Sequence, residues 1–192
     1  MNLPIGHLIE AAWLVFLLYW AWSARRVKGA RRSEPLSPRL LKYWLPLAVA
    51  ACLIQRVRAY PSSLLHLRVL PESTSLLVLG LLLTWLGVAL AIRARVVLGR
   101  NWSSEVQVKH DHELIVRGPY RWVRHPIYTG LLLAILGSAL ALGELRGVIA
   151  FAIIAVSFWF KLRLEERWMG EQFGGAYDDY RRRTKALVPG LL

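Results

Sequence analysis

The feature that most constrains this chain is an apolar run of 33 residues, 128–160, "YTGLLLAILGSALALGELRGVIAFAIIAVSFWF". As one helix at 1.5 Å per residue it would measure about 50 Å, against a hydrocarbon core of about 30 Å. It must therefore fold back. Gly143, Glu144, Arg146 and Gly147 supply a polar, glycine-bounded turn near its midpoint, so the run predicts a tight helical hairpin.

Composition places the rest of the chain in the same solvent. Of 192 residues 56% are hydrophobic, nine are tryptophan, and the net charge is +13. The cations stand in clusters between long apolar runs, which points to a membrane protein and away from nucleic acid. Cys52, the single cysteine, lies inside an apolar run, so neither a disulfide framework nor a CxxC metal site is available. The apolar N-terminus lacks a basic leader and is followed by "RRVKGARR", the pattern of a retained signal-anchor helix. Residues 40–60 and 76–98 are further candidate spans, and 128–143 and 146–161 are the arms of the hairpin. The 40–60 span contains Pro46 and needs Lys42, Arg56 and Arg58 to snorkel to the interfaces.

Basic residues sort cleanly if all five segments cross. Residues 25–42, 93–127 and 161–192 hold seven Lys and Arg each, whereas 55–75 hold three and 143–147 hold one. Alternating spans collect 21 on one side against four on the other, and the positive-inside rule makes the first side cytoplasmic. The expected fold is an all-α membrane protein of about five transmembrane helices, the fourth and fifth forming the hairpin, with a pocket on the cytoplasmic side. Residues 1–97 then carry three spans and 98–192 a loop, the hairpin and a C-terminal tail. The Asn101-Trp102-Ser103 sequon falls in the cytoplasm, where it is an accident of composition.

Two cytoplasmic segments hold nearly all the polar chemistry. In residues 98–130, "EVQVK" and "ELIVR" alternate like the strands of a small hairpin around "HDH". His110 and His112 have no further ligand in the pattern and read as a solvated turn. Gly118-Pro119 then delivers Tyr120, Trp122 and the triplet Arg124-His125-Pro126 to the start of the fourth helix. The second segment, from Lys161 onward, places Glu165 and Glu166 where the fifth helix leaves the membrane. Because the two helices form a hairpin, residues 120–130 and 160–168 emerge on one face. His125, Tyr128, Glu165 and Glu166 can therefore share one pocket.

With "GPYRWVRHPIYTG" followed by "EERWMGEQFGGAYDDYRRR", residues 98–192 resemble the isoprenylcysteine carboxyl methyltransferase family and, more broadly, membrane phospholipid methyltransferases. The segments "LGRNWSSEV" and "ALVPGLL" are similar to the family's as well. The resemblance implies methyl transfer from S-adenosylmethionine. It carries Tyr120, His125, Pro126, Tyr128 and Gly130 over as residues enclosing the cofactor, joined by Glu165 and Glu166. The chemistry is compatible, since carboxylates and aromatic faces stabilise a sulfonium cation, and Gly130 permits close approach of the cofactor or a helix. No G-x-G-x-x-G loop offers the alternative of a soluble nucleotide fold.

The acceptor is expected to be lipophilic, entering from the bilayer while the nucleotide enters from water. A carboxylate, ionised at neutral pH with a pKa near ~4, needs no general base, whereas an amine must first lose a proton and the motif offers only His125. This favours O-methylation, with Arg163 or Arg124 orienting the carboxylate through a forked guanidinium contact. Both arginines also suit lipid phosphate, as does the run Arg181–Arg183. The other readings are a phospholipid amine N-methyltransferase, an NADPH-dependent sterol-type reductase sharing RHPxYxG, and a membrane scaffold without activity.

Overall fold

The computed structural model describes residues 3–25, 30–33, 40–54, 64–99, 107–109 and 113–190. Helices dominate them: α1 (Leu3–Ala24), α2 (Leu45–Ile54, entered through a π-helical turn at Leu40–Trp44), α3 (Thr74–Leu98), α4 (Pro126–Leu142), α5 (Leu145–Phe173) and α6 (Gly175–Arg183). Three of these, α1, α3 and α5, are long and apolar enough to cross a membrane, and α2 with its π turn and α4 are shorter apolar helices. Leu17, Leu18, Leu82 and Leu86 point outward, as side chains bathed in lipid do.

The hairpin forms as the long run requires. Gly143 takes a left-handed conformation (φ 66°, ψ 13°) that closes α4, its N–H donating to Ala139 O at 2.9 Å, and only Glu144 separates it from α5. At its other end α5 departs from expectation. It does not stop near residue 161 but continues through Glu165 and Glu166 to Phe173, 29 residues in all. Beyond Phe160 the sequence turns to Lys, Arg, Leu, Glu, Met and Gln, which are strong helix formers, so the rod persists as its surroundings become polar. The glutamate pair therefore projects from the side of a continuous helix.

Pro46 explains how α2 begins. It has no N–H for the carbonyl of Lys42 four residues earlier. That carbonyl accepts Ser157 Oγ of α5 at 2.7 Å instead, and the turn around it opens into a π-helix. Further along, Ala50 packs with Ala150 and Ile154, so α2 runs antiparallel to α5.

Helices α3 and α4 approach most closely. A Cβ on Gly87 would lie 2.4 Å from Gly130 O, and one on Gly137 2.5 Å from Gly80 O, so only glycine fits where these backbones touch. The buried hydroxyls beside this seam are satisfied: Thr84 Oγ1 donates to Gly80 O at 2.8 Å, and Ser138 Oγ donates to Ala134 O at 2.9 Å while accepting Trp13 Nε1 at 3.0 Å. Ala12 and Phe16 of α1 complete the packing against Val88, Ala91 and Ala134.

At the hairpin end, Val69 and Leu70 donate N–H groups to Gly143 O at 2.9 and 3.2 Å, and Leu145 donates to Leu67 O at 2.8 Å. Glu144 Oε2 accepts Arg146 Nε at 2.6 Å and His66 Nδ1 at 3.1 Å. At the opposite end, two strands, β1 (Ala30–Ser33) and β2 (Gln107–Lys109), pair antiparallel. This corrects the expected hairpin of "EVQVK" with "ELIVR". Residues 113–116 form no strand, because Ile115 is drawn against the cluster of Tyr120, Ile127, Tyr128 and Leu162. The His110–His112 turn and the Asn101 sequon lie outside the described residues.

Candidate functional site

The site is built from the approach to α4, the middle of α5 and the segment after α6. Gly118 (φ 61°) and Pro119 open a short 3₁₀ turn, Gly118–Arg121, that buries Tyr120. His125 occupies the N-cap of α4 and Pro126 its first position, where the absent N–H costs nothing. Thr129 N donates to the His125 carbonyl at 3.0 Å, and Thr129 Oγ1 lies 3.2 Å from the same oxygen. With its backbone pinned, the His125 ring stacks on Tyr128 one turn later, centroids 5.6 Å apart at 15°.

Helix α5 brings the two carboxylates to this stack. Tyr128 Oη donates to Glu165 Oε1 at 2.5 Å, and His125 Nδ1 lies 3.5 Å from Glu165 Oε2. The other ring nitrogen, Nε2, lies 3.3 Å from Glu166 Oε1, the same oxygen that receives Arg124 Nε at 2.7 Å and Nη2 at 2.6 Å. The two glutamates thus differ in role. Glu166 is 10% exposed and gripped by a guanidinium, whereas the Glu165 side chain is 25% exposed and forms the accessible side of the cluster.

The segment after α6 lies along the approach to α4. Val123 pairs with Lys185, Arg124 N donates to Lys185 O at 2.8 Å, and His125 N donates to Ala186 O at 3.0 Å. Thr129 Oγ1 reaches Leu187 O at 2.7 Å, and Arg124 Nη1 donates to the carbonyls of Thr184 and, at 3.3 Å, Arg181. Tyr180 Oη donates to Tyr120 O at 2.5 Å.

Electrostatics follow from this arrangement. Burial pushes the His125 pKa down, but the hydrogen bonds and negative charges of Glu165 and Glu166 outweigh it and hold the imidazole above its ordinary value. Tyr120 is raised well beyond a free phenol, first by burial and then by the charge of Glu165. Burial pushes Tyr180 up to about 12, with Arg124 opposing and Glu166 assisting.

Of the residues singled out in the sequence, Arg124, His125, Tyr128, Glu165 and Glu166 converge. Tyr120 and Pro126 are buried beside them. Gly130 faces the other way: a Cβ there would meet Gly87 O at 2.6 Å and Ala91 N at 2.7 Å, so the close approach it permits is that of α3. Arg163 is exposed, its Cζ 5.2 Å above the ring of Trp159. Sequence reasoning missed Lys161. One turn before Glu165 on α5, its Nζ lies 5.5 Å from the ring centre of Tyr43 and 5.7 Å from that of Tyr128. The i,i+4 spacing to Glu165 was legible; the contribution of Tyr43, from a different helix, was not.

Comparison with known proteins gives this geometry a context. Residues 75–176 match the family model described as phospholipid methyltransferase. The chain is 30% identical over 161 residues to a protein-S-isoprenylcysteine O-methyltransferase of Schizosaccharomyces pombe, covering 77% of this chain and 66% of that protein. It is 30% identical over 113 residues to protein-S-isoprenylcysteine O-methyltransferase B of Arabidopsis thaliana, covering 57% of each. It is also 34% identical over 122 residues to the cobalt-zinc-cadmium resistance protein CzcN of Cupriavidus metallidurans, covering 62% of this chain and 51% of that protein. The chain therefore spans only 51% to 66% of the length of these relatives.

Proposed function

The chain belongs to the phospholipid methyltransferase family and resembles its isoprenylcysteine-directed members, and from that premise we propose that it is an integral membrane methyltransferase using S-adenosylmethionine to O-methylate a carboxylate on a lipophilic, isoprenylcysteine-like acceptor. The residues present fit such a donor. Glu165 supplies an accessible carboxylate bonded to Tyr128, whose ring adds an aromatic face, a suitable setting for a cation. When bound, S-adenosylmethionine supplies a methyl group on a positively charged sulfur, open to direct displacement. The protein's own task is positioning: Glu166 and Arg124 hold the approach to α4 against α5, and His125 and Tyr128 orient Glu165.

The observation that carries the carboxylate reading is the double engagement of His125. Both its ring nitrogens face carboxylates, at 3.5 and 3.3 Å, which favours the imidazolium, a species without a lone pair for an incoming proton. An amine acceptor needs such a base, and an ionised carboxylate does not. Lys161, on the bilayer side of Glu165 and flanked by Tyr43 and Tyr128, is suited to meet an acceptor carboxylate. Arg163, with its guanidinium on Trp159, is better suited to lipid phosphate.

In this reading all five apolar helices cross, residues 1–97 scaffold the methyl-transfer core of 98–192, and the site opens to the cytoplasm. The grouping of helix ends supports it: the ends of α1 and α3 meet at residues 23 and 95, whereas 53, 67 and 143–146 gather at the hairpin turn. Single cysteines replacing Ser33 and Glu144 in a Cys52→Ala background should differ in labelling by an impermeant reagent, with only Glu144→Cys reacting on intact cells.

Radiolabelled methyl transfer from S-adenosylmethionine to a panel of hydrophobic carboxylates and phosphatidylethanolamine analogues tests the proposal. Labelling of carboxylates supports it, whereas labelling of amines alone establishes the phospholipid reading instead. Calorimetric titration with S-adenosylhomocysteine and NADPH separates both from a reductase, and binding of neither leaves the scaffold.

A further inference from the structure

The hydrogen bonds of the C-terminal segment fix its depth. Lys185 and Ala186 pair with Arg124 and His125 immediately before α4, and Leu187 accepts from Thr129 in that helix's first turn. Residues 181–187 therefore lie at the level where an apolar helix begins, which in a bilayer is the headgroup layer. At this level Arg181, Arg182, Arg183 and Lys185 are all exposed. Trp122, 60% exposed, stands beside them in the chain path with Arg121 Cζ 4.8 Å over its ring. Exposed tryptophan backed by arginine is the composition of a headgroup contact. Asp178 and Asp179 are also exposed on α6, and Arg182 binds Asp179, so basic side chains outnumber carboxylates five to two across the ridge.

We propose that this ridge, Arg121–Trp122 with Arg181–Lys185, binds anionic phospholipid headgroups and thereby seats the C-terminal segment on Arg124, making assembly of the site depend on the charge of the bilayer. The link is mechanical. Arg124 donates to the carbonyls of Arg181 and Thr184 with one nitrogen and holds Glu166 with the other two. A headgroup that draws the basic side chains to the surface keeps those carbonyls in place. The effect on the cofactor rests on the methyltransferase reading above; the lipid contact itself does not.

The test uses the full chain in phosphatidylcholine nanodiscs with and without phosphatidylglycerol, reading hydrogen exchange of residues 175–190 and affinity for S-adenosylhomocysteine. Each basic side chain at an anionic surface strengthens adsorption roughly fivefold, so exchange in the wild type should slow severalfold when phosphatidylglycerol is present. A variant carrying Arg181→Gln, Arg182→Gln, Arg183→Gln and Lys185→Gln should lose that response while melting with the wild type in phosphatidylcholine. Cofactor affinity should rise with phosphatidylglycerol in the wild type alone. Equal exchange of the wild type in both bilayers overturns the proposal, as does a full response in the variant. Slowing by inositol hexakisphosphate in phosphatidylcholine discs overturns it in favour of a soluble ligand. Absence of S-adenosylhomocysteine binding in every bilayer overturns the methyltransferase reading, and the exchange measurement still decides the lipid contact.

Discussion

Arg124 holds Glu166 through a single oxygen, with Nε at 2.7 Å and Nη2 at 2.6 Å from Oε1, and both side chains are about nine-tenths buried. Its remaining nitrogen caps carbonyls after and within α6, so one guanidinium ties together α5, the approach to α4 and the C-terminal segment. Removing one member of such a pair strands the other out of water, at a cost of about 3–5 kcal/mol. Glu166→Ala should therefore lower the melting temperature in detergent and open residues 184–190 to protease. Arg124→Lys should restore little, because an ammonium cannot reach a carboxylate and two carbonyls along a planar fork. Melting and cleavage unchanged in both variants would show that the pair holds nothing together.

Glu165 should behave differently, since it is the more exposed of the two and, among the described residues, is held by Tyr128 and His125 rather than by a guanidinium. If its charge meets the sulfonium, Glu165→Gln should weaken S-adenosylmethionine binding by roughly ten- to a hundredfold, the range of a lost charge-assisted contact. Affinity for S-adenosylhomocysteine, which lacks that positive charge, should fall much less. An equal loss for both ligands would assign Glu165 to shaping the pocket.

The elevated pKa of His125 gives stability a defined pH dependence. Because the folded value lies above the ordinary value of about 6.5, the stabilisation is complete below that pH and fades as pH rises through the folded value. Above it the neutral ring can donate to only one of Glu165 and Glu166. The gap in melting temperature between wild type and His125→Asn should thus be widest in mild acid and narrow through neutral into alkaline solution. A gap that widens with pH contradicts the ion-pair assignment.

The hairpin, the proximity of His125 and Tyr128 to the glutamates, and the membrane class were all legible because each follows from local pattern: apolar length, a glycine turn, and two motifs that a hairpin must bring to one end. What the sequence hid depends on partners far apart in the chain. Gly130 sits in a motif that suggests a ligand, but only the fold reveals that Gly87 of α3 is its neighbour. The reach of α5 to Phe173 was hidden by a change of polarity that resembles a helix end but changes only the solvent. Strand pairing failed similarly: the strand at Gln107–Lys109 is present, and its partner lies some seventy-five residues earlier, at 30–33.

The glycine seam yields its own expectation. In Gly130→Ala the new methyl would sit 2.6 Å from Gly87 O, a backbone atom that cannot swing aside, so α3 and α4 must part. Overpacking of this kind costs about 1–3 kcal/mol. The variant should melt earlier while each folded molecule binds S-adenosylhomocysteine as before, the reverse of what a cofactor-contacting glycine predicts.

The choice between Lys161 and Arg163 as the group that orients the acceptor can be settled by separating turnover from cofactor affinity. Lys161 stands between Tyr43 and Tyr128, one turn from Glu165 on the bilayer side, whereas the guanidinium of Arg163 lies on exposed Trp159. Lys161→Ala should leave S-adenosylmethionine affinity nearly intact and lower the rate on a carboxylate acceptor by roughly ten- to a hundredfold, the equivalent of about 1.5 to 3 kcal/mol of lost transition-state contact. Lys161→Arg should recover part of that rate, since the charge returns on a longer, flatter head. Arg163→Ala should change the rate per folded molecule little and reduce insertion or yield, as expected for a side chain anchored among headgroups. A large loss of turnover in Arg163→Ala with a silent Lys161→Ala would return the acceptor role to Arg163 and move the acceptor to the outer face of α5. If neither substitution affects methylation of a carboxylate, acceptor orientation must depend on its apolar tail, and the same variants assayed with acceptors of shortened tail should then expose the difference.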